Sequence, residues 1–120
     1  QDSCAFYERQ AIHNHFSGVV EETEEGDRIA NALGDKTVLF LQNHGILTTG
    51  PSIDIALWYY FSMERCCQSQ LMADAAGETT KIPHETAIKT REFIANDLAA
   101  WASFQPLYDM ITHKEPDLFE

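Results

Sequence analysis

Apolar residues recur along the chain with two periods, and each stretch takes its element from the period that governs it. Residues 37–41 are β-branched and continuously apolar, too short for a helix, and bounded by Gly34-Asp35 and Asn43-His44-Gly45. This predicts a strand covered on both faces. Residues 46–49 predict a second extended segment, stopped by Gly50-Pro51. Upstream, residues 11–16 read as a short strand closed by Ser17-Gly18, with Val19-Val20 beyond, while residues 1–10 are ambiguous. Helical spacing governs elsewhere. Thr23 is a candidate N-cap, and Glu24, Glu25 and Asp27 crowd the first turn, where the helix dipole favours anions. Ile29, Ala30 and Leu33 supply an apolar face and Gly34 a C-terminal stop, so residues 24–33 predict a helix.

The longest predicted helix spans residues 53–76, capped by Ser52 and ended by Gly77. Projected at helical spacing, Ile53, Ala56, Tyr60, Met63 and Cys67 fall on one side, with Asp54, Arg65, Gln68 and Ser69 opposite. Trp58 and Phe61 lie within the polar sector, which implies a further layer: a later helix or another subunit. Pro83 opens a helix running to about residue 98. A last helical stretch, residues 99–112, carries Trp101, Phe104, Leu107, Tyr108 and Ile111, with Pro106 expected to kink or restart it and Glu115-Pro116 to end it. The order strand, helix, strand, strand, helix, helix, helix describes a helix-covered sheet of mixed α/β kind. It has too few strands for a complete sheet.

Charge sharpens this picture. The 120 residues carry a net charge of −11, and residues 36–77 hold few of the charges, marking them as the core. The acidic balance argues against nucleic acid and anionic membrane surfaces, which need a basic footprint. The longest apolar run, Ile55 to Phe61, is far short of a membrane span. Cys4, Cys66 and Cys67 form no disulfide framework; they read as small buried hydrophobes in a reducing compartment, the cytoplasm. No signal peptide is visible, and the opening Gln1 suggests a fragment or a processed product.

Three groups could carry chemistry. His13-Asn14-His15, in a strand, would put two imidazoles on one face, either as a metal-gripping pair or as polar side chains facing solvent. Gln42-Asn43-His44-Gly45 follows the buried strand, where a sheet presents its edge to ligands; Gly45 lets the backbone turn, and Asn43 could orient the ring. Glu21-Glu22 and Glu24-Glu25 form an acidic run that dipole stabilisation explains without catalysis. No phosphate-cradling Gly-rich loop and no nucleophile signature is present.

The stretch V-L-F-L-Q-N-H-G-I-L-T-T-G-P-S-I-D-I-A-L-W-Y-Y-F-S-M-E-R-C-C-Q-S-Q-L, from Val38 to Leu71, resembles the class II aldolase/adducin family. Gly18-Val19-Val20 before an acidic helix and Ala32-Leu33-Gly34 extends the likeness upstream. The closing F-Q-P-L-Y-D, Phe104 to Asp109, is similar to the adducin-like branch, so the resemblance covers effectively all of residues 1–120.

This resemblance implies a layered α/β/α fold around a mainly antiparallel sheet, here incomplete and followed by C-terminal helices. It implies a divalent metal, usually zinc, held by a His-x-His pair and a third downstream His, with an upstream Glu as acid/base or further ligand. The implied reaction is retro-aldol cleavage or epimerisation of a sugar phosphate through an enediolate. His44 matches the third metal His. His13 and His15 lie too close to His44 to match the family's pair and fall on a later strand, so that pairing reads as a coincidence. The upstream Glu, the His pair and the phosphate-binding loops would precede Gln1. The chain is thus expected to be the C-terminal part of the domain, with one metal ligand, no catalytic residue and no identifiable substrate-binding residue of its own. The family's enzymes form homo-oligomers, typically tetramers. The second class the resemblance allows is an adducin-like module that keeps the fold for protein association without catalysis.

Overall fold

The computed structural model describes residues 1–16, 18–19 and 23–119. The expected features at Ser17, Val20, Glu21 and Glu22 lie outside the described residues. A 3-10 turn, Asp2–Phe6, leads into strand β1 (Gln10–His13), helix α1 (Thr23–Leu33), strands β2 (Val38–Leu41) and β3 (Gly45–Thr48), and helices α2 (Ile53–Ala76), α3 (His84–Ile94) and α4 (Asp97–Lys114); a second 3-10 turn, Pro116–Phe119, follows.

The sheet order is β1-β2-β3. β1 runs parallel to β2, from Gln10 opposite Val38 to His13 opposite Leu41. A parallel pair needs a crossover, and α1 provides it. β2 and β3 form an antiparallel hairpin with Phe40 opposite Ile46. The family resemblance implied a mainly antiparallel sheet; among the described strands one pair is of each kind. β2 is paired on both sides, so the unpaired strand edges belong to β1 and β3.

The two faces of β2 explain its unbroken apolar run. Val38 and Phe40 join Phe6, Ile55, Tyr59, Met63 and Ala100 in the core between the sheet and α2 with α4. Leu39 and Leu41 point the other way, towards α1, and Val38 and Leu39 are wholly inaccessible. The result is a three-layer α/β/α arrangement. Gly50 lets α2 come down onto β3: a Cβ there would meet the Ala56 nitrogen at 2.9 Å. The Thr48 hydroxyl donates to the Ala56 carbonyl at 2.9 Å across the same seam.

Several local expectations shift. β1 ends at His13, short of residue 16, so Asn14, His15 and Phe16 lie beyond it. α2 has the expected bounds, but its buried stripe is Ile55, Tyr59 and Met63, while Ile53 and Tyr60 are exposed. Apolar residues surround the first half of α2, so periodicity does not select a face; the sheet and α4 do. Trp58 packs against the core as a further layer requires, but Phe61 stays exposed, as do Trp101 and Tyr108 on α4. The break between the last two helices falls at Ala95-Asn96, not after residue 98. Asn96 caps α4 by accepting from the Ala99 N–H at 2.8 Å. Pro106 lies inside α4, which runs through it to Lys114.

Candidate functional site

The end of the sheet where β1 and β2 stop is built by a tight turn. Asn43 adopts a left-handed backbone (φ 57°), tolerated by Asn, and Gly45 follows with φ 157°. The His44 N–H donates to the Leu41 carbonyl at 3.1 Å, closing the turn. Asn43 therefore serves the turn through its backbone. His44 is lifted onto the surface at the β2–β3 connection, exposed, and no hydrogen bond engages its ring among the described residues.

His13 behaves differently from a solvent-facing strand residue. It sits opposite Leu41 on the α1 side of the sheet and is only 9% exposed. Its Nε2 lies 3.2 Å from Glu25 Oε1. A carboxylate only accepts, so Nε2 carries the proton and the tautomer is set. Glu25, 5% exposed, also accepts from Arg28 Nε at 2.7 Å and forms an ion pair with the same guanidinium. The Arg28 hydrogen bond holds the Glu25 carboxyl below its ordinary 4.5; burial pushes upward, and the His13 contact pulls down again. The expected solvated acid in the first turn of α1 is thus a buried anchor between helix and strand. Spacing could not reveal this, because Glu25 sits among like residues and its partner is twelve positions away.

The fold also draws His15 in. Its ring meets that of His13 edge-on, centroids 6.2 Å apart. His13, His15, Glu25, Gln42 and His44 line one small cavity of about 10 Å³, walled by Phe16, Ile29 and Leu41. So the structure places beside His44 the imidazole pair that the sequence left apart from it. These groups do not form a metal cage: among the described residues, no three His, Cys, Asp or Glu are gathered so as to hold an ion. Zinc, implied by the resemblance, finds one matched donor in this chain, short of the three protein ligands of a catalytic centre.

A much larger cavity, about 840 Å³, opens elsewhere, between the first 3-10 turn, α2 and the α3–α4 junction, lined by Phe6, Trp58, Tyr59, Arg65 and Phe93 among others. Its lining includes Asp2 and Arg65 but no histidine, whereas the small cavity at the sheet end is lined by three. Cys4, Cys66 and Cys67 are free thiols, Cys4 buried and the others half-buried. Burial pushes the Cys66 and Cys67 thiols up, leaving them poor nucleophiles. Among the described residues no helix is long and apolar enough to cross a membrane.

Comparison with known proteins gives the arrangement a context. The sequence model described as Class II Aldolase and Adducin N-terminal domain matches residues 1–71. The decarboxylase NovR of Streptomyces niveus is 38% identical over 118 residues, covering 98% of this chain and 44% of that protein. Adducin-related protein 1 of Caenorhabditis elegans is 33% identical over 78 residues, 64% of this chain and 11% of that protein. The solved structure of L-fuculose 1-phosphate aldolase from Glaciozyma antarctica PI12 superposes with a TM-score of 0.83 at 36% identity, covering 97% of this chain and 43% of the other. The chain spans less than half the length of these relatives. With more than half its length matched by the family's sequence model and its layered fold shared with a solved member, the chain belongs to the class II aldolase and adducin family.

Proposed function

We propose that the 120 residues are the C-terminal part of a class II aldolase domain. In the intact protein that domain acts as a divalent-metal-dependent aldolase or epimerase on a sugar phosphate, in the cytoplasm and as a homo-oligomer. The observation that carries this reading is His44. It stands with an uncommitted imidazole at the Asn43–Gly45 turn of a chain that matches an L-fuculose 1-phosphate aldolase structure over 97% of its length. His44 supplies one metal ligand, and the remaining donors come from outside these residues. Zinc is among the metals that imidazole suits, and the family resemblance is what selects it here.

The likeness to the decarboxylase NovR supports a related reading, in which the same site serves a decarboxylation. The likeness to an adducin-related protein supports a module that associates without catalysis. One experiment separates the enzyme from the module. In the intact protein, His44→Ala is expected to lower bound zinc and turnover together while circular dichroism stays unchanged. Full zinc occupancy in that variant would overturn the assignment.

A further inference from the structure

Four chemistry-bearing side chains from three parts of the fold meet at one end of the sheet. His13 is the last residue of β1, His15 lies just beyond it, Glu25 comes from α1 and His44 from the β2–β3 turn. The cavity between them, about 10 Å³, has room for one oxygen-sized group and not for a whole phosphate. It lacks a three-donor metal set. What it offers is hydrogen bonding: two exposed imidazoles, each with a donor and an acceptor nitrogen when neutral, and the Gln42 amide.

The imidazoles have different duties. His13 is committed to Glu25, whose other oxygen is held by Arg28. Its carbonyl accepts from the Gln42 N–H at 3.0 Å, so the pinned strand end also holds the segment leading into the His44 turn. The paired carboxylate ties α1 to the end of β1 through His13 and so fixes the orientation of that ring. His15 packs edge-on against the fixed His13 ring and has no polar partner among the described residues.

We propose that His15 is a ligand-contacting residue of the His44 site, addressing a hydroxyl or carbonyl oxygen of a hydroxy-ketone, with His13, Glu25 and Arg28 as the positioning residues that hold it there. The ligand class rests on the function proposed above; the juxtaposition does not.

The test uses the intact protein, which supplies the remaining metal donors of that reading, with nitrogen-15-labelled histidines, titrated with dihydroxyacetone and, separately, with zinc. Dihydroxyacetone is expected to shift the ring signals of His15 and His44 along one saturation curve and to leave those of His84 and His113 in place. His15→Ala, at an exposed position, is expected to weaken that binding about tenfold, the equivalent of one lost hydrogen bond. Glu25→Ala is expected to weaken it similarly, and Glu25→Asp, which keeps a carboxylate acceptor for both His13 and Arg28, to restore part of it. Such rescue, with helix content unchanged, is something a purely structural role would not produce. A response confined to His44, no saturable response, or undiminished affinity in His15→Ala would each overturn the proposal. If Glu25→Ala fails to fold, His15→Ala decides alone. The zinc arm keeps the two readings apart. Zinc missing His44 while the ketone engages both rings would sink the metal assignment only. Zinc on His44 with His15 silent to the ketone would sink this one only.

Discussion

Leu39→Ala probes the part of the fold that carries the His44 turn. Leu39 is wholly buried on the central strand β2, on the face covered by α1. The change removes three carbons, worth about 2.4 kcal/mol at ~0.8 kcal/mol per buried CH₂. β2 is held on both sides by strand pairing, so the site collapses little, and the cavity left behind raises the loss to about 3–4 kcal/mol. With an unfolding entropy of ~2.1 cal/mol/K per residue, a 120-residue chain has about 250 cal/mol/K, and a 3 kcal/mol loss lowers the melting temperature by about 12 °C. The assay is urea and thermal unfolding followed by far-ultraviolet circular dichroism, with Leu71→Ala as control. Leu71 is 71% exposed near the end of α2, and its truncation is expected to stay within about 0.5 kcal/mol. A loss below about 1 kcal/mol in Leu39→Ala, or one no greater than the control's, would refute the sandwiched placement of β2.

Glu25 makes stability depend on acid. Its folded-state carboxyl is depressed by Arg28 first and His13 after, so its stabilisation is complete above the ordinary value of 4.5 and is lost as pH falls through the folded value. Acid titration of unfolding midpoints is expected to show a steeper fall below that pH in the wild type than in Glu25→Gln, and identical slopes would contradict the pairing. Asn96→Ala removes the cap on α4 and is expected to cost about 1 kcal/mol in chemical denaturation, against no change for Asn14→Ala. Exposed Leu71, Met72, Trp101 and Met110, with the outer edges of β1 and β3, are expected to make the chain self-associate. Light scattering that returned a steady 13.6 kDa species at micromolar concentration would disprove this.

Local chemistry by itself determined the element order, the bounds of α2, and the turn at Asn43-His44-Gly45. Each depends on residues adjacent in the chain: the Gly77 stop, the Gly50-Pro51 break, the short β-branched run of β2. The motif around His44 carried the family for the same reason. What the sequence could not decide was which side of an element is covered, because that depends on neighbours distant along the chain. In α2 the apolar residues surround the helix, and only the sheet and α4 select Ile55, Tyr59 and Met63 as its buried stripe. The parallel pairing of β1 with β2 turned His13 inward and brought His15 to the cavity it shares with His44. Glu25 shows the difference most plainly. In sequence it is one acid of a run beside a helix start. In the fold, a partner twelve residues away and a guanidinium one turn along hold it as a buried charge, which persists in a low-dielectric interior only when it is paired.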